Sequence, residues 1–391
     1  MKKIKNILSY LILLLLVGCT EPFPIQDIAF EDILIVESII TNERKHQLVK
    51  LSRTISLESF GQKIEDNATV KIKSDNGVIF NFTQDTESGN YISDEEFQAE
   101  QNVSYTLYIN TSEGNSYTSK PVQIKAAVPI TRLYTELISE NGKQGIEVFV
   151  DTDNANGNGQ YFRYEYEETY KVQLPNPKTF DWEMVNYNNF TRTYQLELTQ
   201  IEQEFICYSS VGSQGILQTS SSNLSENKVR RFPVRFIDKE DPILRERYSI
   251  LVKQYVQSLE AYSFYAILEN LGNAGSLLSP GQPGYVTGNI SSDANTEEKV
   301  LGFFEASSVS SQRIYFNYND FGLELPPYFV ECEVEVVEGP TESLKRKLEF
   351  EGFQIFFYEE IDLKAFYHIA QSECSECTSF SSNIKPDFWE D

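Results

Sequence analysis

The chain has 391 residues, with 58 acidic against 33 basic side chains and a net charge of −25. A surface this acidic repels nucleic acid and anionic lipid headgroups, so nucleic-acid binding is excluded as a function class. The length is comfortable for two domains, and 23 Tyr with 26 Phe suit half-buried strand positions.

The chain opens with Lys2, Lys3 and Lys5, followed by an apolar run from Ile7 to Val17 and then Gly18-Cys19. A positive start and an apolar stretch too short to span a bilayer read as a secretory signal peptide over residues 1–18. The small residue before Cys19 fits lipoprotein processing, with Cys19 as the lipidated N-terminus and residues 19–27 as a lipid-anchored linker. Several acyl chains anchor stably where one holds only marginally. The expected localisation is therefore the cell outer membrane, at its periplasmic face or the cell surface. Glu21 in Thr20-Glu21-Pro22-Phe23 is a weak form of the acidic run that marks surface export.

Residues 28–125 read as a first β-sandwich. Ile33 to Ile40 and the alternating Val70-Lys71-Ile72-Lys73 fit strands, and Asp75-Asn76-Gly77 predicts a hairpin turn into Val78–Phe82. Val103, Tyr105, Leu107 and Ile109 share one face of a strand that turns at Ser112–Asn115 towards Tyr117. Short strands with turn signals roughly every 8 to 12 residues point to a sandwich. Ala126–Ile130, with Pro129, marks the boundary to a second β-rich domain over residues 126–391.

Gly145–Val150 and Tyr161–Val172 read as long strands joined by an Asn/Gly hairpin loop from Asp151 to Gly159. That loop resembles a calcium site only superficially, because Ala155 and Phe162 stand where the pattern requires oxygen ligands. Tyr248–Tyr255 reads as a strand feeding one amphipathic helix over about 258–272. Ser258 is its cap and Gly272 its stop. The Pro/Gly loop Ser279–Gly284 follows, and Val300–Ala306 and Arg313–Asn317 resume strand character. The fold expected is thus mainly β, with tandem sandwiches and one helix inserted in the second.

Cys207, Cys332, Cys374 and Cys377 are an even set in an exported chain, which favours two disulfides with three possible connectivities. Cys374-Ser375-Glu376-Cys377 also has the spacing of half a zinc site, with His368 as a further ligand, or of a redox pair. The only histidines are His46, in a polar turn, and His368, in a strand beside Tyr367. No nucleophile elbow, metalloprotease or phosphate-loop motif is present, so no catalytic, cofactor or metal residue is assigned. A carboxylate-only glycosidase needs two acids that sequence does not single out.

Arg247–Tyr255, Glu260-Ala261-Tyr262, Gly288-Asn289-Ile290 and Val300–Phe304, in that order, resemble a Bacteroidota cell-envelope lipoprotein family, domain of unknown function 4249. The closing Cys374-Ser375-Glu376-Cys377 and Asn383–Trp389 are similar to its final signature, with Thr378–Ser382 replacing a Gly-rich stretch. The resemblance implies an N-terminal immunoglobulin-like or carboxypeptidase-regulatory-like sandwich. It also implies a TonB-dependent outer-membrane receptor as partner. The expected function is a non-catalytic accessory or ligand-capturing lipoprotein, with a structural role in an envelope complex as the alternative. Lys385–Trp389 is expected to pin the C-terminus, with Trp389 packed.

Overall fold

The computed structural model describes residues 31–55, 63–140, 142–154, 157, 159–201, 205–222, 226–273 and 286–391. The signal segment, Cys19, the linker and the Ser279–Gly284 loop lie outside the described residues. The chain is mainly β. Its first segment contains β1 (Leu34–Thr41), β2 (Leu48–Arg53), β3 (Lys63–Ile64), β4 (Thr69–Ser74), β5 (Ile79–Gln84), β6 (Tyr91–Ser93), β7 (Ser104–Asn110), β8 (Ser116–Ser119) and β9 (Val122–Gln123). The two hairpins form as read. β4 pairs antiparallel with β5 around Gly77, and β7 with β8. Along β7 the alternation buries Tyr105, Leu107 and Ile109, because successive side chains point to opposite faces.

The second segment begins with β10 (Arg132–Glu140), β11 (Lys143–Asp153), β12 (Tyr161–Gln173), β13 (Phe180–Asn188), β14 (Thr193–Gln200), β15 (Ile206–Gly212), β16 (Leu217–Ser220), β17 (Lys228–Asp238) and β18 (Tyr248–Val256). A helix over Leu259–Asn273 follows, then β19 (Ile290–Ser292) and β20 (Val300–Phe316). β11 and β12 do not form the expected hairpin. β11 lies between β10 and β17, while β12 pairs with β15, β16 and β18. The intervening loop therefore carries the chain from one sheet to another. The reason is burial: Ile146, Val148 and Val150 of β11 pack against Phe162, Tyr164, Ile250 and Val252 across a shared core.

The segments expected at Val300–Ala306 and Arg313–Asn317 are one continuous strand. The first half of β20 pairs parallel with β1, from Leu34 opposite Val300 to Thr41 opposite Ser307. Its second half pairs antiparallel with β18, from Val256 opposite Ser308 to Tyr248 opposite Phe316. One hydrogen-bonded path thus runs through both segments. The expected boundary at residue 125 does not close the first core, which also contains Ile290, Val300, Phe304 and Ala306. β19 completes the exchange by pairing with β8.

Ser258 caps the helix, its hydroxyl accepting from the Ala261 amide at 3.1 Å. The helix runs through Gly272 to Asn273, so Gly272 does not end it. It is also not the only one: the described residues contain two more α-helices, Glu342–Phe350 and the single turn Ser372–Ser375. The first lies in a C-terminal unit with β21 (Glu335–Gly339), β22 (Phe353–Ile361) and β23 (Lys364–Gln371). Leu344 and Leu348, one turn apart, enter a small core with Ile355 and Ile369, against which Trp182 and Leu198 of the β13–β14 hairpin also pack.

Cys207 is bonded to Cys377 and Cys332 to Cys374. The two cysteines of the Cys374–Cys377 stretch therefore have separate partners and form neither a redox pair nor a zinc half-site. The sequence separations are 170 and 42 residues, for which loop closure contributes about 5 and about 4 kcal/mol. Beyond them Trp389 is buried, its ring 5.0 Å from Tyr208 and 6.0 Å from Tyr315. The Arg313 guanidinium lies 3.6 Å from the Phe388 ring centroid. The tail is pinned in the manner expected of Lys385–Trp389.

Two glycines allow close approaches at β20: Gly302 to β1, and Gly288 to β20 itself. Gly302 has φ +107°, and a Cβ there would lie 1.8 Å from the Val36 carbonyl oxygen. A Cβ on Gly288 would lie 1.6 Å from the Gly302 carbonyl oxygen. Gly302→Ala is expected to cost about 3 kcal/mol of unfolding free energy, combining backbone strain with overpacking. Gly77→Ala, at φ +93° with open space around it, is expected to cost only about 1 kcal/mol. Urea unfolding of the two variants tests this, and equal losses contradict the close-approach account.

Candidate functional site: a cleft at the junction of the two cores

The alternation of β1 builds one wall of a cleft. Val36 and Ile40 turn into the first core, so Ile35, Glu37 and Ile39 face the other way, beside Leu48 and Lys50 of β2. Leu301 and Phe303 of β20 extend this wall. The helix lies over it with Phe264, Tyr265 and Leu268 inward, and the Phe264 ring sits 5.2 Å from Phe303. The helix aromatics thus form a small core with Ala261, Val286 and Phe303. The remaining space is about 640 Å³, within the range of small-molecule sites.

The polar end of the cleft comes from β12. Its alternation sends Phe162 and Tyr164 into the second core, leaving Arg163 and Glu165 on the opposite face. Arg163 is only 8% exposed. Its guanidinium lies 4.8 Å from the ring centroids of both Tyr255 and Tyr265, with the buried Glu305 as its strongest opposite charge. Nη1 meets Glu165 Oε1 at 3.0 Å, and the Tyr255 hydroxyl donates to the other Glu165 oxygen at 2.7 Å. Nε and Nη2 of Arg163 are buried with no hydrogen-bond partner.

Glu305, next along β20 from Phe304, is 2% exposed and accepts a hydrogen bond from the Ser307 hydroxyl. Burial pushes its carboxyl above the ordinary 4.5, against the opposing pull of Arg163 and Ser307. Tyr265 is also raised, chiefly by burial and then by Glu305. A second buried network stands on the other face of β12. There Arg235 grips both oxygens of Glu168 at 2.9 and 3.1 Å, and Tyr248 donates to the same carboxylate at 2.5 Å. That network is saturated and closes the second core; the Arg163 network is not.

The residues singled out from sequence fall elsewhere. The four cysteines form two disulfides, of which Cys207–Cys377 packs beside Val172 and Leu174. His368 meets Glu359 at 3.1 Å, and His46 meets the Ser93 carbonyl at 2.7 Å; the two histidines share no site. In the false calcium loop Asp153 binds Arg230 at 2.5 Å, and Asp151 accepts from the Arg231 amide at 2.8 Å. Among the described residues no group of three or more His, Cys, Asp or Glu is placed to hold a metal ion. No helix among them is long and apolar enough to cross a membrane. Arg163, Tyr265 and Glu305 were not marked by any motif. The one available signal was an acid, Glu305, inside an apolar strand run.

A mainly β, disulfide-linked chain with a partly charged cleft between two cores is the class this geometry defines. The chain belongs to the family described as domain of unknown function DUF4249, whose model matches residues 20–313. The match ends within β20, before the C-terminal unit. No curated protein matches. One solved structure is similar at 12% identity over 59% of this chain and 91% of the other, with a TM-score of 0.14. It is titled as manganese lipoxygenase of Gaeumannomyces graminis with a partial zonadhesin of Komagataella pastoris. At that score it carries no argument.

A carboxyl with a raised pKa binds its proton more tightly in the folded than in the unfolded state. Its contribution to stability therefore falls as pH rises above about 4.5. Glu305→Gln, which stays neutral, removes that loss. The melting temperature of the variant relative to the parent is expected to increase between about pH 5 and pH 7. Thermal unfolding by circular dichroism checks this, and a difference independent of pH contradicts a raised Glu305.

Proposed function

We propose that this chain is a non-catalytic lipoprotein of the cell outer membrane, anchored through Cys19, that captures a small ligand and serves a TonB-dependent transporter. The observation that carries the capture reading is the junction cleft, whose apolar walls end at a buried guanidinium with two unpartnered donors. The leader sequence and the family support the envelope address. Acyl chains at Cys19 hold the body near the membrane, and the cleft offers a ligand a partly desolvated seat.

A structural or assembly role is favoured by a different observation. Phe190 at the β13–β14 tip is 95% exposed, and Leu363 in the β22–β23 turn is fully exposed. Exposed apolar tips of this kind suit docking to another protein. They do not require a cleft, and capture remains the reading that explains one.

The test is affinity purification of the tagged, lipidated chain from its own membranes in mild detergent, followed by mass spectrometry. A TonB-dependent receptor is expected in stoichiometric amount. Elution of the chain alone overturns the transporter partnership.

A further inference from the structure

We propose that two hairpin tips of the C-terminal unit, Phe190 between β13 and β14 and Leu363 between β22 and β23, insert their side chains into the interface of a zwitterionic lipid bilayer. The inference rests on the lipid-anchored reading above and adds a second membrane contact to it.

The two tips project from one end of the unit. At the base of the β13–β14 hairpin the Thr179 hydroxyl donates to the Phe356 carbonyl of β22 at 2.6 Å. Further out, the Tyr194 hydroxyl donates to the Thr341 carbonyl at 2.8 Å, and that of Tyr187 to Glu342 at 3.1 Å. Thr341 closely follows Gly339, which lies opposite Ala365 in the sheet, just past the Leu363 turn. Both hairpins therefore run the same way from the Thr179–Phe356 contact, β13 towards Phe190 and β22 towards Leu363.

Each tip presents an apolar side chain on a backbone already satisfied from within. The Asn188 side chain accepts from the Phe190 and Thr191 amides at 2.9 and 3.1 Å, and its carbonyl accepts from the Arg192 amide at 2.8 Å. Donors paired in this way can meet an apolar phase without the cost of unmet hydrogen bonds. Asp362 and Leu363 close a two-residue turn between the paired Ile361 and Lys364, with φ of +51° and +65°. Such a turn favours Asn and Gly. A leucine there accepts backbone strain while gaining no burial among the described residues.

The surrounding charges favour lipid over a protein partner. In a chain with 58 acidic side chains, the stretch from Met184 to Leu196 has none, and Arg192 is exposed beside Phe190. Tyr187 is exposed on the same hairpin, one step back from the tip. Tyrosine and arginine sit at headgroup level while a neighbouring apolar side chain reaches deeper. At the second tip Lys364 pairs with Glu338, and Asp362 and Glu360 hold Leu363 to a shallow depth. These carboxylates oppose an anionic surface, which selects zwitterionic headgroups. A protein partner would need a pocket for each tip, whereas a bilayer interface receives both without complementary shape.

The lipidated full chain is reconstituted in phosphatidylcholine vesicles, with and without phosphatidylcholine brominated on its acyl chains. Tryptophan emission is then read for the parent, Phe190→Trp and Leu363→Trp. The parent contains only Trp182, against the C-terminal core, and the buried Trp389, so bromine is expected to leave its emission unchanged. The indole placed at position 190 or 363 is expected to lose emission to the brominated lipid. Flotation of the chain with the vesicles reads the anchor separately. A chain that floats without added quenching at both positions overturns the insertion and leaves the anchor standing; a chain that does not float overturns both. In the protein's own membranes, p-benzoylphenylalanine in place of Phe190 is expected to give phospholipid adducts on irradiation. An adduct to a single protein overturns the assignment and returns the tips to the docking role.

Discussion

The pairing of Val36 with Gly302 and the pairing of Tyr255 with Val309 lie on one strand, and most of the architecture depends on that strand. β20 places Val300, Phe304 and Ala306 in the first core and Phe316 in the second. Burial of a large apolar side chain is worth about 1.5–3 kcal/mol, so neither core is complete without residues from β20. The cost is steric. Parallel pairing at Val36 is possible only because Gly302 has no side chain, and Gly288 repeats the requirement one layer out. The helix and the cleft follow from the same constraint, since Phe303 faces the helix while Phe304 faces the first core.

Local features were legible in the sequence, and long-range ones were not. The Asn76-Gly77 turn, the β7–β8 hairpin and the Ser258-capped helix each carry their own signal within a few residues. The pairing of β1 with β20 joins positions more than 250 residues apart, and no local pattern reports a partner at that distance. For the same reason Asp151–Gly159 read as a hairpin loop: its composition states that the chain turns, not which sheet receives the next strand. Two leucines in Glu342–Phe350 make too narrow an apolar stripe to outweigh the surrounding strand rhythm. Disulfide connectivity is likewise a property of the fold, here set where β15 meets the C-terminal turns.

The candidate site was illegible for a related reason. Arg163 alternates with Phe162 and Tyr164 as any outward-facing residue of a half-buried strand does. Only the helix laid over that face, and the strand shared with the other core, convert an ordinary surface arginine into a buried one. Glu168 and Arg163 show the two outcomes side by side on β12. The former is satisfied by Arg235 and Tyr248. The latter has two tyrosine rings near it, Glu165 on Nη1, the buried Glu305 as a further opposite charge, and two donors without a hydrogen-bond partner. A saturated network specifies packing; an unsaturated one leaves buried donors at a cost.

If β20 joins the cores into one cooperative unit, the two segments cannot open separately. Native-state hydrogen exchange of the full chain, followed by mass spectrometry under rising denaturant, tests this directly. The account predicts that amides of Leu34–Thr41 and of Tyr248–Val256 exchange with the same unfolding free energy. Loss of protection in the first segment while the second stays protected would contradict it.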